Sequence, residues 1–414
     1  MRKVIVLLNI SIAGRTSGVE RYLDNLTTGL QEYQDYHVVR VNFWGGNKIL
    51  FPFITKVSSL LTLVDIPLPQ NFGILVHSSY WMQQYCAQAY TFLAPLLSNT
   101  SINILHVHTL NLIDFALFIK KHHPSRIITH LHCITWKNYY NTNRPLFNHI
   151  YKKIYIDKDY SIPFSQLCTN RSELIAYTKS DKIICVTSCA SSFLYNLFHI
   201  QRDKIYVIDN GMEDWNKSGL VTMKKKDVPS ILFVGSFTDS KGLDYVLDAI
   251  EKVDANGYSV NLIVAGKIFP RKRELFEKHY KHLTVNYLDN IPLEALTYYY
   301  KNSDIGIIGS LQEQCSYAAI EMAMWAMPII TTNVDGLDEI FDDGINALKV
   351  PTVFSLMEGL SVDTDLMSKY VIKLITNPRL QYMLKKNARA LYCKRFSLNK
   401  MLEETTNLYN SMFE

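Results

Sequence analysis

The segment from Asp304 to Ala347, DIGIIGSLQEQCSYAAIEMAMWAMPIITTNVDGLDEIFDDGINA, constrains the fold of this chain more than any other. It opens with an apolar run, Ile305 to Ile308, that reads as a buried strand. A polar loop, Gly309 to Gln314, leads into a helical stretch that ends at Pro328, and a second apolar run (Ile329, Ile330) and a turn at Gly336 follow. Two carboxylates stand eight positions apart, Glu313 before the helix and Glu321 within it. At ~1.5 Å per residue their backbones lie roughly 12 Å apart along the axis, which suits one elongated ligand gripped at both ends. The backbone N–H groups of Cys315, Ser316 and Tyr317 fall between them, at a helix start that favours an anion. A cap residue and a solvated face are the ordinary use of two glutamates so placed, and the spacing alone does not choose between the readings.

The surroundings do choose. They resemble the signature of the retaining glycosyltransferases of family 4 (glycosyl transferases group 1, GT-B fold). That pattern is Glu, seven residues, Glu, then a small residue, Pro, and Gly-x-x-Glu. Here these are Glu313, Glu321, Ala326, Pro328, and Gly336 with Glu339. The resemblance implies that Glu313 holds the donor sugar beside the reacting carbon and that Glu321 holds the nucleotide ribose. A nucleotide diphosphate sugar also meets the spacing argument, with hydroxyls at each end and phosphates in the middle. Ser316 and Ala326 stand where the family usually has Gly, and both are small.

At 414 residues the chain exceeds one ordinary core, so two domains are expected. A hydrophobic content of 48% and a mean hydropathy near zero describe a soluble globular protein. No apolar run approaches the roughly 20 residues that span a bilayer. The start, MRKVIVLLNISIAG, has the basic and apolar character of a signal peptide, but Asn9 and Ser11 interrupt it and no small-x-small cleavage site follows. It reads as the first strand. The seven cysteines contain no C-x-x-C pair, and Cys185 and Cys189 lack partners at zinc spacing, which points to a reducing cytosol. A formal net charge of +5 permits an anionic ligand or a membrane surface without requiring either.

In chain order, Lys3 to Leu8 is a strand. A loop with Gly14, Ser17 and Gly18 leads to a helix from Val19 to about Gln31, with Val19, Tyr22, Leu23, Leu26 and Leu30 on one stripe. This is the usual opening of a doubly wound domain. The run SGVE resembles the Gly-Gly-x-Glu of the same family, with Ser17 at the first Gly, and the resemblance places Gly18 beside the donor phosphate and acceptor. Strands are expected at His37–Asn42, Ile104–His108, Arg126–His132, Asp181–Thr187 and Lys204–Ile208, with helices near 112–122 and 190–198. Phe43 to Ile102, broken by Pro52, Pro67 and Pro69, shows no clear pattern. His130 and His132 alternate on a strand and are expected to point to opposite faces. In the family a His at this strand end faces the donor sugar, and His132 takes that place; His106 and His108 read as structural or acceptor-side. Between Lys120 and Lys158 basic residues interleave with aromatics (Lys137, Tyr140, Arg144, Phe147, Tyr151, Tyr155). Three readings stay open there: an anionic membrane surface near a lipid-linked acceptor, an acceptor lid, or a solvated face with a few core aromatics.

Asn210 and Gly211 resemble the family's turn at the end of the first domain, and the lysine-rich WNKSGLVTMKKKDVPS reads as a linker. The pattern then restarts with a strand at Ile231–Gly235, the loop GSFTDSKGLD and a helix near Gly242. A lysine beside a helix start after a glycine turn makes a phosphate clamp. In the family an Arg follows the first Gly and a Lys precedes the second. Lys241 matches the Lys, but Ser236 occupies the Arg position, with Lys267 and Arg271 as candidate substitutes. The loop around Leu288–Ile291 is expected to frame the base. Of the Asp-x-Asp triplets, Asp157–Asp159 and Asp363–Asp365, the second sits where Asp caps a helix, so no metal is expected.

These readings converge on an α/β protein of GT-B fold, two Rossmann-like doubly wound domains facing across a cleft. The expected division is an acceptor-side domain at 1–215, a linker at 216–229, a nucleotide-sugar domain at 230–390, and a final helix at 391–414 crossing back to the first domain. Glu313 and His132 are the expected catalytic residues. Gly18, Gly235, Lys241, Cys315, Ser316 and Tyr317 are expected around the diphosphate and sugar, and Glu321 on the ribose. No metal or cofactor is expected beyond the donor, a UDP- or GDP-sugar. The expected reaction is metal-independent transfer to a hydroxyl of a glycan or lipid-linked acceptor, in surface-polysaccharide or lipid-linked glycan assembly. It takes place in the cytoplasm, with contact to the inner membrane face left open and no nucleic acid involved. Two rivals remain: a non-catalytic nucleotide-sugar-binding partner, and a sugar-nucleotide epimerase or glycosyl phosphorylase on the same fold.

Overall fold

Apolar runs such as Val4–Leu8 and Ile305–Ile308 are buried along their whole length, the pattern of parallel strands covered on both faces. In the computed structural model these runs form two α/β units. The structure describes residues 2–12, 17–46, 48–70, 72, 79–217, 219, 227–267, 270–289 and 291–413. Gly14, most of the expected linker and part of the expected base-framing loop lie outside the described residues. No described helix is long and apolar enough to cross a membrane.

The first unit comprises Met1–Trp136, Asp159–Glu213 and Leu398–Glu414. Its strands are β1 (Lys3–Ile12), β2 (Tyr36–Gly45), β3 (Phe53–Lys56), β4 (Leu61–Pro67), β5 (Asn103–Val107), β6 (Ser125–Leu131), β7 (Lys182–Cys185) and β8 (Ile205–Val207). The sheet order is β3-β4-β2-β1-β5-β6-β7-β8, parallel except for β3 against β4. From β1 the chain winds outward to β2 and then resumes on the other side at β5, so the carboxyl ends of β1 and β5 flank a topological switch point. The unpatterned stretch supplies β3, β4 and a helix, Ser79–Leu93. Its prolines bound strands: Pro52 precedes β3 and Pro67 ends β4, where no ladder donor is lost. The last helix, Leu398–Phe413, packs in this unit, with the Tyr409 hydroxyl 2.6 Å from His106 Nδ1.

The second unit comprises Lys137–Lys158 and Asp214–Ser397. Its six parallel strands are β9 (Ser230–Val234), β10 (Asn261–Ala265), β11 (Val285–Leu288), β12 (Ile305–Ile308), β13 (Ile329–Thr332) and β14 (Leu348–Val350), ordered β11-β10-β9-β12-β13-β14. The winding reverses between β9 and β12, which places a second switch point at their carboxyl ends. There the loops after β9 and β12 cross backbone to backbone. A Cβ on Gly242 would lie 1.9 Å from the Gly309 carbonyl oxygen, so no larger residue fits the crossing.

An antiparallel hairpin, β15 (Thr352–Ser355) and β16 (Gly359–Val362), adds a platform for residues 137–158. Asn148 Nδ2 donates to the Leu356 carbonyl at 3.1 Å, and the Tyr151 ring stacks on Phe354 with centroids 4.8 Å apart. Tyr140 and Phe147 are buried, and the Arg144 guanidinium lies 3.5 Å over the Tyr140 ring. The basic-aromatic stretch therefore spends these aromatics on packing in the second unit, as expected of a face with a few core aromatics, one of the three readings left open. The helix expected to run to Pro328 is also shorter, Tyr317–Met324. It stops in a left-handed cap at Ala326 (φ 55°), with Met327 N–H on the Met322 carbonyl and Ala326 N–H on that of Ala323.

Candidate active site

At the second unit's switch point the loop after β9 brings Lys241 to the loop after β12. Lys241 Nζ lies 2.5 Å from Glu313 Oε1, and Ser310 Oγ donates to the same oxygen at 3.1 Å. Glu313 is largely enclosed and Lys241 about one-third exposed, so the pair stands at the mouth of the switch point and not in the core. Its surroundings are fixed from three sides. Thr332 Oγ1 donates to the Ser310 carbonyl at 2.5 Å, and Leu311 N–H donates to the Ser240 carbonyl at 2.8 Å. Asn141 Nδ2 donates to Ser240 Oγ at 3.2 Å. Gly235 ends β9 alongside Lys241, and a Cβ there would touch the lysine stem at 3.7 Å. Among the described residues the Ser236 hydroxyl makes one long contact, 3.5 Å, to Thr238 Oγ1. The neighbouring Phe237 N–H bonds the Lys267 carbonyl at 3.2 Å, so Lys267 joins the same loop cluster.

Cys315, Ser316 and Tyr317 open the helix beyond Glu313, all three buried, with Ser316 as its N-cap residue. Glu321 is buried one turn further on and accepts a hydrogen bond from the Tyr300 hydroxyl. The Glu313 loop is clamped from behind by Gly336, whose N–H donates to the Glu313 carbonyl at 3.2 Å. A Cβ on Gly336 would sit 1.6 Å from the Gln314 carbonyl oxygen. Gly336→Ala must therefore push the Glu313–Gln314 turn aside. We expect a loss of donor affinity of at least about tenfold, read as KM or by nucleotide-sugar titration, because a shift of ~1 Å in a positioning group is costly. Wild-type affinity in a folded variant would show that this turn does not bind donor.

Gly18 begins the helix Gly18–Leu30 of the first unit, behind Ser17, whose Oγ accepts the Glu20 N–H at 3.2 Å. Ser17, which departs from the family's Gly, thus works as a helix cap. Glu20 anchors this helix start to the sheet: Oε1 accepts from Ser11 Oγ (2.6 Å) and Asn9 Nδ2 (3.0 Å), and Oε2 pairs with Arg40 at 3.0 Å. The motif reading missed this network, because Arg40 and Asn9 reach Glu20 only through the sheet.

Four histidines gather at the ends of β5 and β6. His130 and His132, expected on opposite faces, stack with centroids 4.0 Å apart and planes 9° from parallel. The correction has a simple cause: strand side chains alternate with a period of two, so residues two apart, His130 near the end of β6 and His132 just beyond it, fall on the same side. The Tyr409 hydroxyl, kept protonated by burial, lies 2.6 Å from His106 Nδ1, and His106 Nε2 lies 3.2 Å from His130 Nδ1. His132 Nε2 lies 3.0 Å from His108 Nδ1. Among the described residues, His106, His108 and His130 bring ring nitrogens within 4.8 Å of one another, a spacing compatible with a metal ion. Their rings pair at interplanar angles of 21° to 39°.

Burial, reinforced by mutual repulsion of neighbouring rings, lowers these histidines: His106 to about 3, and His108 and His130 well below the ordinary value. Burial alone takes His132, at the partly exposed rim, to about 3. All are neutral in the folded protein near neutral pH. The unfolded chain protonates them below a pH of about 6.5, so their contribution is complete above that value and is lost as pH falls toward the native pKa. At pH 5.5 this amounts to about 1 kcal/mol for each of the three enclosed rings, His106, His108 and His130. Tm at pH 5.5 should lie several degrees below that at pH 7.5, with His130→Gln flattening the dependence; equal slopes in both proteins would contradict the assignment.

Two doubly wound units, one carrying an ion-paired lysine and glutamate at its switch point, define a GT-B protein. The chain belongs to the group 1, family 4 glycosyltransferases. Residues 16–214 match Glycosyltransferase Family 4, and residues 221–391 match Glycosyl transferases group 1. An uncharacterized glycosyltransferase of Methanocaldococcus jannaschii is 29% identical over 238 residues, 57% of this chain and 61% of that protein, so the chain spans about three-fifths of this relative's length. Sucrose-phosphate synthase from Thermosynechococcus elongatus superposes with a TM-score of 0.75 at 16% identity, covering 100% of this chain and 99% of that one. HepE from Anabaena, in complex with UDP-glucose, superposes with a TM-score of 0.66 at 12% identity, covering 98% and 99%.

Proposed function

We propose that this protein transfers a sugar from a nucleotide diphosphate sugar to an acceptor hydroxyl with retention of anomeric configuration and without a metal. The Lys241–Glu313 pair at the switch point carries the reading. A diphosphate competes with Glu313 for Lys241 and leaves the carboxylate to accept hydrogen bonds from sugar hydroxyls. In the reaction the bond from the anomeric carbon to the diphosphate oxygen breaks, and its electron pair departs on the nucleotide diphosphate. The acceptor oxygen bonds to that carbon, and its proton passes to the departing phosphate oxygen. Lys241, with the N–H groups of Cys315, Ser316 and Tyr317 and the backbone at Gly235, stabilises the leaving charge. Glu321 takes the ribose. The first unit receives the acceptor, a glycan or lipid-linked hydroxyl of the cytoplasm; its Gly18 serves the donor phosphate and acceptor, and its His132 serves the donor sugar.

The test is nucleotide release from a panel of UDP-, GDP- and ADP-sugars, with and without a membrane-lipid acceptor fraction. The HepE complex with UDP-glucose makes UDP-sugars the first to try. Release that needs one donor and rises with acceptor supports transfer. Donor consumption independent of acceptor would support an epimerase instead.

One observation favours a second reading, a partner that binds nucleotide sugar without turnover: Ser236 stands where the family has a cation, and among the described residues its side chain reaches Thr238. On the transferase reading Lys267 substitutes for that cation. Ser236→Arg should then improve donor affinity by about tenfold or less, the worth of one further charged contact to phosphate, and leave acceptor dependence unchanged. Turnover that appears only in Ser236→Arg would establish the non-catalytic reading.

A further inference from the structure

The β3–β4 hairpin carries apolar side chains that face outward. Leu50 is 75% exposed, Phe51 78%, Phe53 47%, Ile54 46% and Val57 53%. β3 is the edge of the eight-stranded sheet, and all four of its residues are exposed. Successive strand residues point to opposite sides, so exposure of both Phe53 and Ile54 means that neither face of β3 is fully covered, whereas β4 beside it is mostly buried. Exposure is greatest at Leu50 and Phe51, in the loop that leads into β3. Single exposed apolar side chains are ordinary on a protein surface, but five between positions 50 and 57 form a patch of the kind that marks an interaction surface.

Charge selects the partner. No Asp or Glu occurs between Asp35 and Asp65. Lys48 and Lys56 bracket the apolar run and are both exposed. Lys48 Nζ lies 3.5 Å over the Trp44 ring, which puts an ammonium and an indole together at the border of the patch. Arg2 adds a further cation nearby, its Nη1 donating to the Ser59 carbonyl at 2.7 Å. The carboxylate opposite Phe53 on the paired strand, Asp65, is buried and accepts from the Trp44 indole and from Asn42 Nδ2, so the exposed tip with its cationic collar fits an anionic lipid surface. Pairing with another strand fits less well. β3 has four residues, Pro52 heads it and Lys56 ends it, and short length, Pro and Lys are the features that blunt a sheet edge against other strands.

We propose that residues 48–57 are a membrane-contact arm, seating Leu50 and Phe51 among the headgroups of an anionic bilayer with Lys48 and Lys56 on lipid phosphates. The arm locates a membrane contact outside residues 137–158, whose aromatics pack within the second unit. The proposal does not depend on the reaction, and binding can be measured without donor or acceptor.

The full chain is sedimented with phosphatidylcholine vesicles with and without phosphatidylglycerol. Binding is expected to the anionic vesicles and to weaken with added salt. It should fall at least about tenfold in Leu50→Asp/Phe51→Asp, which removes the apolar tip. Lys48→Glu/Lys56→Glu should abolish the preference for anionic lipid. These side chains are exposed, so Tm should not change; the milder Phe51→Ser covers the case in which the double variant fails to fold. No binding by the parent, or equal binding by parent and variants, overturns the proposal. A parent dimer on size exclusion that Leu50→Asp/Phe51→Asp dissolves would assign the arm to a second copy of the chain and overturn it as well.

Discussion

Glu313→Gln is expected to lower nucleotide release at saturating donor by about two to three orders of magnitude while the protein stays folded. The amide keeps the shape of the carboxylate, and its oxygen can still accept from Lys241 and Ser310. Geometry therefore survives and only the charge is lost. Stability should change little, because the pair lies at a partly open loop end, and ion pairs of that kind contribute about 1 kcal/mol or less. If Glu313 positions the sugar in the transition state, kcat falls more than KM rises. Lys241→Met should show the opposite emphasis, with donor KM raised, because the diphosphate loses its cation in the ground state too. Wild-type turnover in a folded Glu313→Gln protein would remove this pair from the reaction.

Lys137→Met should destabilise the second unit by about 3–5 kcal/mol, the range for breaking a buried ion pair by removing one partner. Lys137 is buried and pairs directly with Asp335, whose side chain is 9% exposed, with the Tyr155 hydroxyl 3.3 Å from Asp335 Oδ1. Asp335 also adopts a left-handed backbone (φ 39°) immediately before Gly336. The pair thus ties residues 137–158 to the turn that clamps Glu313, while Asn141 ties the same segment to the Lys241 loop through Ser240. Chemical denaturation measures the loss. Asp335→Asn in the same protein should recover most of it, since an unpaired buried charge is what costs stability, and Asn tolerates the left-handed backbone. A loss below about 1 kcal/mol in Lys137→Met would mean that the pair is solvated and carries no such load.

Much of the fold was legible in the sequence because its signal is local. Parallel strands covered on both faces must be continuous apolar runs, so β1, β5, β9, β12 and β13 declare themselves. The helix after β1 shows its stripe in consecutive residues, while the capping role of Ser17 came only with the structure. The region from Phe43 to Ile102 was opaque for an equally local reason. Its outer strand, β3, buries nothing, so no apolar alternation is imposed on it, and its prolines mark strand ends in place of the breaks they suggested.

The histidines show both the reach and the limit of local rules. The period of two puts His130 and His132 on one side of the strand, so the expectation of opposite faces misapplied a local rule, whereas the gathering of four rings against Tyr22 and the last helix is set by packing between distant segments. Likewise, nothing near Lys137 in the sequence announces Asp335, and nothing near Asn9 announces Arg40.

By itself the sequence determined the family, the alternation of strands and helices, and the identity of the Lys241 and Glu313 loops, because each depends on residues close together in the chain. Tertiary structure alone decided that these two loops meet as an ion pair, since that follows from the reversal of strand order between β9 and β12. It also decided that residues 137–158 leave the first half of the chain to pack in the second unit. Such a transfer is driven by burial of Tyr140, Phe147 and the Lys137–Asp335 pair, and burial is a property of partners far apart in the chain.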